Sequence, residues 1–419
     1  MPKPSDPFGN FFSSYHLESK QNTLLNERQQ QKLEEVRKTR SSGFYTFQQA
    51  FDAKSGPLIT LNNIQYKLLS SYDYLGLIGN KQLEKAATEA IDKFGTGTGG
   101  VRLLTGTNKL HLDLEKELAL FMGKEAALTY SSGYKANLAV LSSLMDSRDL
   151  ALVDSKIHHS TLDACKLAGL QYRRFDHNNP ESLEELLKQH HRGGRVLIIT
   201  EGMYSMDGDI CKIKDIVALK KKYGAFLMID EAHSLGVLGA NGKGVASHGN
   251  ISPDEVDIFV GSLSKAIPAS GGFVAASKEL IIFLQHASSP YIFSAALAPS
   301  AAATARMALR IFQDEPEKQK KLWENTHYFT SELKNLGYDT GLSSTPIVPV
   351  ILGSDQMALS FSRKLFDHGV LATPVVFPAV PKQQARLRLC ITAAQDKSFL
   401  REVLNVFAEL RDQYVLSRS

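Results

Sequence analysis

The chain has 419 residues, of which 43% are hydrophobic and 22% are charged, proportions that are typical of a globular protein. This length exceeds what a single hydrophobic core usually supports, so we expect a large domain and a smaller one. The formal net charge of +4 is too weak to indicate a nucleic-acid-binding protein, and no apolar run approaches the ~18 residues of a membrane span.

The N-terminal segment and the cysteines both favour a cytoplasmic protein. Residues 1–22 are polar and carry no apolar run of signal-peptide length. Cys165, Cys211 and Cys390 are widely separated, odd in number and without Cys-x-x-Cys spacing, which is typical of reduced thiols. We therefore expect a soluble protein of the cytoplasm.

The first predicted elements belong to an N-terminal arm and helix, residues 1–60. A charged, weakly amphipathic stretch predicts a surface helix at residues 24–40. A strand at 67–70 then leads into a loop at 72–76, and the apolar spacing predicts a helix over 82–94.

A glycine-rich loop follows this helix at residues 95–100, with the sequence Gly-Thr-Gly-Thr-Gly-Gly. It satisfies the dinucleotide-binding pattern G-x-G-x-x-G, but that fingerprint must follow a strand and open a helix. Because this loop follows a helix, we reject a nicotinamide site. A loop whose backbone can approach a bound ligand closely is the better interpretation.

Strands and helices then alternate, which is typical of a doubly wound, mostly parallel α/β sheet. After a helix at 111–121, we expect strands at residues 126–130, 150–153, 172–175, 195–200, 226–229, 257–260 and 272–275. Helices are predicted between them: one runs from the turn at 131–134 to about residue 144, one opens at 158–160 and runs to 168, and two lie at 180–190 and 214–223. This large domain would extend over residues 61–298.

From about residue 299 the pattern changes to that of a small α+β domain, residues 299–419. Two helices, at 299–312 and 315–336, would link it to the large domain. The unit itself is predicted to contain strands at 346–352 and 385–392 and helices at 356–368 and 399–414.

Three chemically active side chains follow the ends of two predicted strands. Asp230 and His233 come directly after the strand at 226–229, and Lys265 follows the strand at 257–260. Because ligands of parallel sheets bind at the carboxyl ends of the strands, we expect these residues to meet at one edge. An acid that can pair with a pyridinium nitrogen and a nucleophilic lysine together predict a pyridoxal phosphate site.

Two other interpretations of these motifs fail. Residues 230–233 spell the Asp-Glu-Ala-His of helicases, but no Gly-Lys in the chain is followed by Ser or Thr, as a phosphate-binding loop requires. His158 and His159 invite a metal site, yet adjacent residues at a helix start point apart and cannot chelate one ion together. We therefore predict no metal.

Two further strand ends carry candidate cofactor ligands. Ser132, Gly133 and Tyr134 occupy a strand-to-helix turn, where backbone N–H groups can bind a phosphate, although an ordinary helix cap is an equally good interpretation. Ser205 lies in a polar, glycine-containing stretch after the strand at 195–200 and could reach a cofactor oxygen.

Taken in order, these motifs resemble the α-oxoamine synthases, a family of fold-type I pyridoxal-phosphate enzymes. The resemblance extends from about residue 65 to 410 and rests on eight segments: 74–77, 97–111, 132–137, 154–160, 201–208, 230–233, 262–265 and 385–388. It implies an α/β fold and an enzyme that joins an amino acid to an acyl thioester, from coenzyme A or acyl carrier protein, with loss of carbon dioxide.

The resemblance also implies roles for individual residues. Lys265 would hold the cofactor covalently and move the proton at the substrate Cα, with Asp230 on the pyridinium nitrogen and His158 stacked on the ring. Arg388 would bind the substrate carboxylate, and Tyr72 and Asp73 would also lie at the substrate. Ser205 and His233 would contact the phenolic oxygen of the cofactor. The residues at its phosphate would be Ser132, Gly133, Tyr134, Ser262 and Ser264. The resemblance also implies a homodimer with shared active sites, in which Ser294 of the second subunit would reach the phosphate.

The substrate is less narrowly indicated. Residues 72–76, 290–294 and 377–381 resemble serine palmitoyltransferases, so L-serine with a long-chain acyl thioester, as in sphingolipid synthesis, is the leading hypothesis. Residues 386–394 instead resemble 8-amino-7-oxononanoate synthases, which leaves alanine with a pimeloyl thioester, or glycine with acetyl-CoA, as alternatives. An aminotransferase or lyase on the same fold is a more distant one, and a catalytically inactive partner subunit is disfavoured because Lys265, Asp230 and His158 are all present.

Overall fold

The computed structural model of the chain describes residues 24–190 and 194–416, so the predicted polar arm at 1–22 lies outside the described residues. The helices are α1 (Glu27–Ser41), α2 (Lys81–Phe94), α3 (Lys109–Met122), α4 (Gly133–Leu144), α5 (His159–Leu167), α6 (Pro180–His190), α7 (Ile213–Tyr223), α8 (Val245–His248), α9 (Lys278–Ala287), α10 (Ser289–Ile292), α11 (Pro299–Asp314), α12 (Pro316–Asn335), α13 (Asp355–Asp367) and α14 (Lys397–Leu416).

The strands are β1 (Leu58–Leu61), β2 (Ile64–Leu68), β3 (Ala126–Tyr130), β4 (Leu150–Asp154), β5 (Gln171–Phe175), β6 (Val196–Glu201), β7 (Phe226–Asp230), β8 (Ile258–Ser264), β9 (Pro268–Ala276), β10 (Ile347–Gly353), β11 (Val370–Leu371), β12 (Pro374–Val375) and β13 (Ala385–Cys390). None of the described helices is long and apolar enough to cross a membrane.

The central sheet has the strand order β3-β9-β8-β7-β6-β4-β5, and β9 runs antiparallel to both of its neighbours. The predicted mostly parallel α/β sheet is thus confirmed. Its strands are apolar on both faces: Ile198 packs into one core, while Leu197 and Ile199 pack into the other. Burial on both faces explains why these strands read as continuous apolar runs rather than alternating ones.

The sheet aligns the strand ends that carry the candidate site. Glu201 at the end of β6 is the register partner of Asp230 at the end of β7. Strand β8 continues to Ser264, beyond the predicted end at residue 260, because β9 folds back and pairs with it there. Lys265 therefore follows the last residue of β8, at the same edge of the sheet as Asp230.

The C-terminal unit has its own apolar core between the β10-β13-β12 sheet and helices α12, α13 and α14. The β1–β2 hairpin joins this unit, because β2 pairs with β11 and Ile59, Leu61 and Leu68 pack against residues of the unit. The predicted domain boundary at residue 61 therefore lies within a hairpin that packs with the C-terminal part of the chain. The two predicted linking helices are present as α11 and α12, separated at Glu315, whose conformation before Pro316 is not helical.

Candidate active site

A cavity of about 270 Å³ opens at the carboxyl ends of β6, β7 and β8. Among the predicted site residues, those that line it are Tyr72, Ser132, Gly133, Tyr134, His158, Ser205, Asp230, His233, Ser262, Ser264, Lys265 and Arg388. Two larger grooves lie elsewhere on the surface, but neither gathers such a set of buried titratable groups. We therefore take this cavity as the candidate active site.

Lys265 faces two carboxyl groups in this cavity. Burial lowers the pKa of Lys265, although the charges of Asp230 and Glu201 act in the opposite direction. Burial and the neighbouring Asp230 together raise the pKa of Glu201 well above its ordinary value. A lysine whose ammonium form is disfavoured is a better nucleophile, as covalent attachment to a carbonyl group requires.

Both oxygens of Asp230 accept hydrogen bonds from neutral donors. Asn137 Nδ2 donates to Oδ2 over 2.8 Å, and the backbone N–H of Ala232 donates to Oδ1 over 2.9 Å. These contacts fix the orientation of the carboxylate without neutralising its charge, so Asp230 can hold a proton on a basic ring nitrogen.

His158 caps the N-terminus of α5 and is held on two sides. Its backbone N–H donates to Glu201 Oε1 over 2.6 Å, and its Nδ1 lies 2.7 Å from Ser160 Oγ. His159 points away from the cavity, with its side chain largely exposed and its Nε2 3.4 Å from Asp163. The two adjacent histidines thus diverge, as predicted.

Two aromatic side chains lie beside His233 and Arg388. Tyr74 Oη lies 2.8 Å from His233 Nδ1, and the Arg388 guanidinium carbon lies 4.5 Å from the centre of the Tyr72 ring. Burial and the nearby cations Lys265 and Arg388 hold the pKa of His233 well below its ordinary value. This lowered pKa favours the neutral form of the His233 imidazole.

One hydrogen-bond donor of the Arg388 side chain is unused among the described residues. Its Nε donates to the backbone oxygen of Ser205, whereas its buried Nη2 has no hydrogen-bond partner among the described residues. An unpaired guanidinium nitrogen that is out of contact with water is costly, and a bound carboxylate would satisfy it.

A turn with the features of an anion site lies at the start of α4. Ser132 Oγ accepts the backbone N–H of Lys135 over 3.2 Å, and a Cβ on Gly133 would lie 3.2 Å from the Ser262 Cβ. The hydroxyls of Ser262 and Ser264 are 2.8 Å apart beside this turn. A helix N-terminus, a glycine that lets the backbone come close and paired hydroxyls together suit a phosphate.

Two predicted site residues do not line the cavity. The Asp73 carboxylate accepts the backbone N–H groups of Leu77 and Ile78, over 2.7 and 2.9 Å, and so stabilises the turn after Tyr72. Ser294 accepts a hydrogen bond from Lys135 Nζ over 3.0 Å. A substrate contact for Asp73 and a contribution of Ser294 to a second subunit stay predictions.

Three polar lining residues were assigned no role from the sequence: Asn137, Ser160 and Glu201. Simple spacing could have indicated each one. Asn137 lies four residues after Gly133 on the same face of α4, Ser160 lies two residues after His158, and Glu201 ends the strand beside Asp230.

The donor set fits pyridoxal phosphate. Lys265 would supply the amine and Asp230 an oriented carboxylate for the ring nitrogen, while the turn at Gly133 would hold the phosphate. Arg388 Nη2, which has no partner among the described residues, would suit the carboxylate of an amino acid.

The chain is similar to proteins of known family. The family model for aminotransferase class I and II matches residues 65–407. An 8-amino-7-oxononanoate synthase of Thermoanaerobacter pseudethanolicus (strain ATCC 33223 / 39E) is 43% identical, over 91% of this chain and 96% of the relative.

Solved structures point to two branches. A serine palmitoyltransferase solved with pyridoxal phosphate is 32% identical with a TM-score of 0.90, covering 94% of this chain and 100% of that one. An 8-amino-7-oxononanoate synthase from Francisella tularensis is 26% identical with a TM-score of 0.72, covering 83% of this chain and 99% of that one.

Proposed function

We propose that this chain joins L-alanine to a pimeloyl thioester with loss of carbon dioxide. The proposal starts from its family: the chain belongs to the aminotransferase class I and II family and, within it, to the α-oxoamine synthases. The product would be 8-amino-7-oxononanoate. The chain is a pyridoxal-phosphate-dependent acyltransferase of fold type I. The observation that carries the choice of substrate is its 43% identity, along nearly its whole length, to the 8-amino-7-oxononanoate synthase of Thermoanaerobacter pseudethanolicus, against 32% to the serine palmitoyltransferase.

This choice reverses the order of the hypotheses from the sequence, which placed L-serine with a long-chain thioester first. That pair is kept as the second candidate, since the chain superimposes better on a serine palmitoyltransferase than on an 8-amino-7-oxononanoate synthase. The contact between Tyr72 and Arg388 also supports it, because Tyr72 belongs to the segment that resembles this branch.

When bound, pyridoxal phosphate supplies an electron-withdrawing ring that takes up the electron pair released at the amino-acid Cα. Lys265 would hold the cofactor and then carry the proton to and from Cα, a task that its lowered pKa favours. Asp230 would keep a proton on the ring nitrogen. Arg388 would bind the amino-acid carboxylate with the nitrogen that has no partner among the described residues.

The other lining residues would orient the cofactor. His158 would lie against the ring, and Ser205 and His233 would donate towards its phenolic oxygen. Those at the phosphate would be Ser132, Gly133, Tyr134, Ser262 and Ser264.

The order of bond breaking follows from the chemistry of the carboxylate. Condensation first forms a bond between Cα and the acyl carbon and releases the thiol. The resulting β-keto acid can then lose carbon dioxide, because the adjacent ketone takes up the electrons of the broken bond. Arg388 would hold the carboxylate until that ketone exists.

We further propose a homodimer in which Ser294 of one subunit reaches the phosphate of the other. The segment around Ser294 presents Phe293, which is 80% exposed, and Leu104, four residues after the glycine-rich loop, is 78% exposed. A bridge between Val101 and Ala295 holds these two segments together. Two exposed large apolar side chains on segments that pair with each other favour contact with a second subunit.

Mass spectrometry of the products tests the substrate choice. The holoenzyme is incubated with alanine, serine or glycine, each with pimeloyl-CoA, pimeloyl-acyl carrier protein, palmitoyl-CoA or acetyl-CoA. We expect 8-amino-7-oxononanoate from alanine with a pimeloyl thioester as the main product, and none from the Lys265→Ala variant. A dominant long-chain 3-keto product from serine and palmitoyl-CoA would establish the second candidate instead.

A further inference from the structure

A chain of buried hydrogen bonds links His158 to Asp230 beside the cavity. His158 Nδ1 lies 2.7 Å from Ser160 Oγ, and Asn137 Nδ2 lies 3.0 Å from the same hydroxyl. Asn137 Nδ2 also donates to Asp230 Oδ2 over 2.8 Å. Ser160 and Asn137 are 0% and 2% exposed, so water does not compete for these contacts.

The chemistry of the partners sets the direction of each proton. The Asp230 carboxylate only accepts hydrogen bonds, so the nitrogen of the Asn137 amide must face it. The second hydrogen of that nitrogen is donated to Ser160 Oγ, which leaves the hydroxyl proton of Ser160 for His158 Nδ1. The backbone N–H of Ser160 points to the same nitrogen over 3.3 Å. Two donors converge on Nδ1, so the imidazole proton is on Nε2.

Burying the Asn137 side chain costs free energy that a purely structural role would not explain. Its amide oxygen is buried and has no hydrogen-bond partner among the described residues. Burying an unsatisfied amide oxygen is unfavourable, and an apolar side chain would avoid that cost. The presence of an amide at this position is better explained by what its nitrogen does.

We propose that Asn137 is a positioning residue which, together with Ser160, holds His158 as the neutral tautomer protonated at Nε2 and at the same time orients Asp230. The proposal rests on the proposed function only through the roles of His158 and Asp230 towards the cofactor. A neutral imidazole can lie against a protonated pyridine ring without repulsion, and its Nε2 proton is available to a cofactor or substrate atom. Burial, which lowers the pKa of His158, acts in the same direction.

Nitrogen-15 NMR of histidine-labelled apoprotein and holoenzyme tests the tautomer, with the His158 signals identified by their absence in a His158→Gln variant. We expect wild-type His158 to be neutral with its proton on Nε2. Asn137→Asp and Ser160→Ala each remove a donor from the series of hydrogen bonds between Asp230 and His158. Both variants should therefore give a mixture of the two neutral tautomers of His158. Ser142→Ala is the matched control, because the Ser142 hydroxyl on the same helix as Asn137 bonds only to the backbone oxygen of Leu138 in the described structure.

The second readout is the holoenzyme with pyridoxal phosphate labelled at its ring nitrogen. Asn137→Asp keeps the shape of the side chain but places a second carboxyl against Asp230, and two neighbouring carboxyls share a proton. We expect the ring-nitrogen signal to move towards that of an unprotonated pyridine and the Kd of the cofactor to rise at least about tenfold. Ser142→Ala should change neither.

An unchanged His158 tautomer in both Asn137→Asp and Ser160→Ala would overturn the proposal, as would an unchanged ring-nitrogen signal in Asn137→Asp. If one variant does not fold, the other still decides the tautomer. The apoprotein spectrum needs no substrate, so a wrong assignment of alanine or the pimeloyl thioester would leave this result intact. A correct tautomer without any condensation product would refute the proposed function alone.

Discussion

Tyr74 Oη lies 2.8 Å from His233 Nδ1, although 159 residues separate the two in the chain. Tyr74 is fully buried, and its backbone oxygen accepts the N–H of Ala393 over 2.8 Å. Two residues further on, Gly76 has φ of 66°, and a Cβ there would lie 2.5 Å from the Ala394 Cβ. The turn at 393–394 therefore fixes the loop of Tyr74, and Tyr74 in turn orients a histidine of the cavity.

Replacing Tyr74 by Phe should leave the fold intact but release His233. The buried Nδ1 loses its partner, which should lower the free energy of unfolding by about 1–3 kcal/mol and reduce turnover several-fold. Thermal unfolding and steady-state kinetics measure the two effects. Tyr45→Phe is the control, because Tyr45 bonds to Gln48 at the surface. Equal behaviour of the two variants would mean that the contact with His233 is incidental.

Arg388→Lys should separate the two substrates. Lysine keeps the charge but not the planar pair of donors, so we expect the apparent affinity for the amino acid to fall by roughly 2–4 kcal/mol, about 30- to 900-fold. The apparent KM for the acyl thioester should change little. Arg195→Lys, at an ion pair with Asp149, is the control. A similar loss for both substrates would assign Arg388 a structural role.

His177 should make the stability of the protein depend on pH. Its Nδ1 lies 2.8 Å from Asp154 Oδ1 and its Nε2 3.0 Å from Asp209 Oδ2. Burial alone would lower the pKa of His177, but the two carboxylates outweigh it and raise the pKa from 6.5 to about 9. Because the folded-state pKa is the higher one, this stabilisation is complete below about pH 6.5 and is lost as the pH rises through about 9.

Unfolding of His177→Gln across this range measures the effect. Near pH 6 we expect the variant to be less stable than the wild type by on the order of 3 kcal/mol, with the difference shrinking towards pH 9.5. The exposed His159→Gln is the matched control and should show little difference at any pH. A destabilisation that grows with pH would contradict the assignment of His177 as a buried cation.

The strand ends were the predictable part of this site. Asp230 and Lys265 could be placed at one edge from the sequence, because apolar runs that break into polar residues mark the carboxyl ends of parallel strands. The mostly parallel sheet could be predicted from the alternation of strands and helices along the chain. Helix Lys278–Ala287 was missed because residues 280–284 are all apolar and hide its period of 3.6.

Contacts between segments that are distant in the chain could not be predicted from the sequence. Tyr74 reaches His233, and Arg388 reaches Tyr72, only because the C-terminal unit packs on the strand ends of the large sheet. The pairing of β2 with β11 depends on a strand of two residues, Val370–Leu371, which is too short to give a pattern. Asn137 lay within a recognised segment, but its partner Asp230 is 93 residues away.

Lys265 alone should form the covalent bond to the cofactor. After reduction with borohydride and digestion, we expect the cofactor on the peptide that contains Lys265 and no labelled peptide from Lys265→Ala. Lys156→Ala, which removes a lysine paired with Asp207, should stay labelled. Labelling of another lysine in Lys265→Ala would refute the assignment.

Release of carbon dioxide from carboxyl-labelled alanine tests the central claim most directly, namely that decarboxylation follows condensation with a pimeloyl thioester. The holoenzyme is given labelled alanine with and without pimeloyl-CoA, and carbon dioxide, free thiol and product are counted. We predict equal amounts of all three with the thioester and almost no carbon dioxide without it. Carbon dioxide released at the same rate in the absence of the thioester would contradict the account.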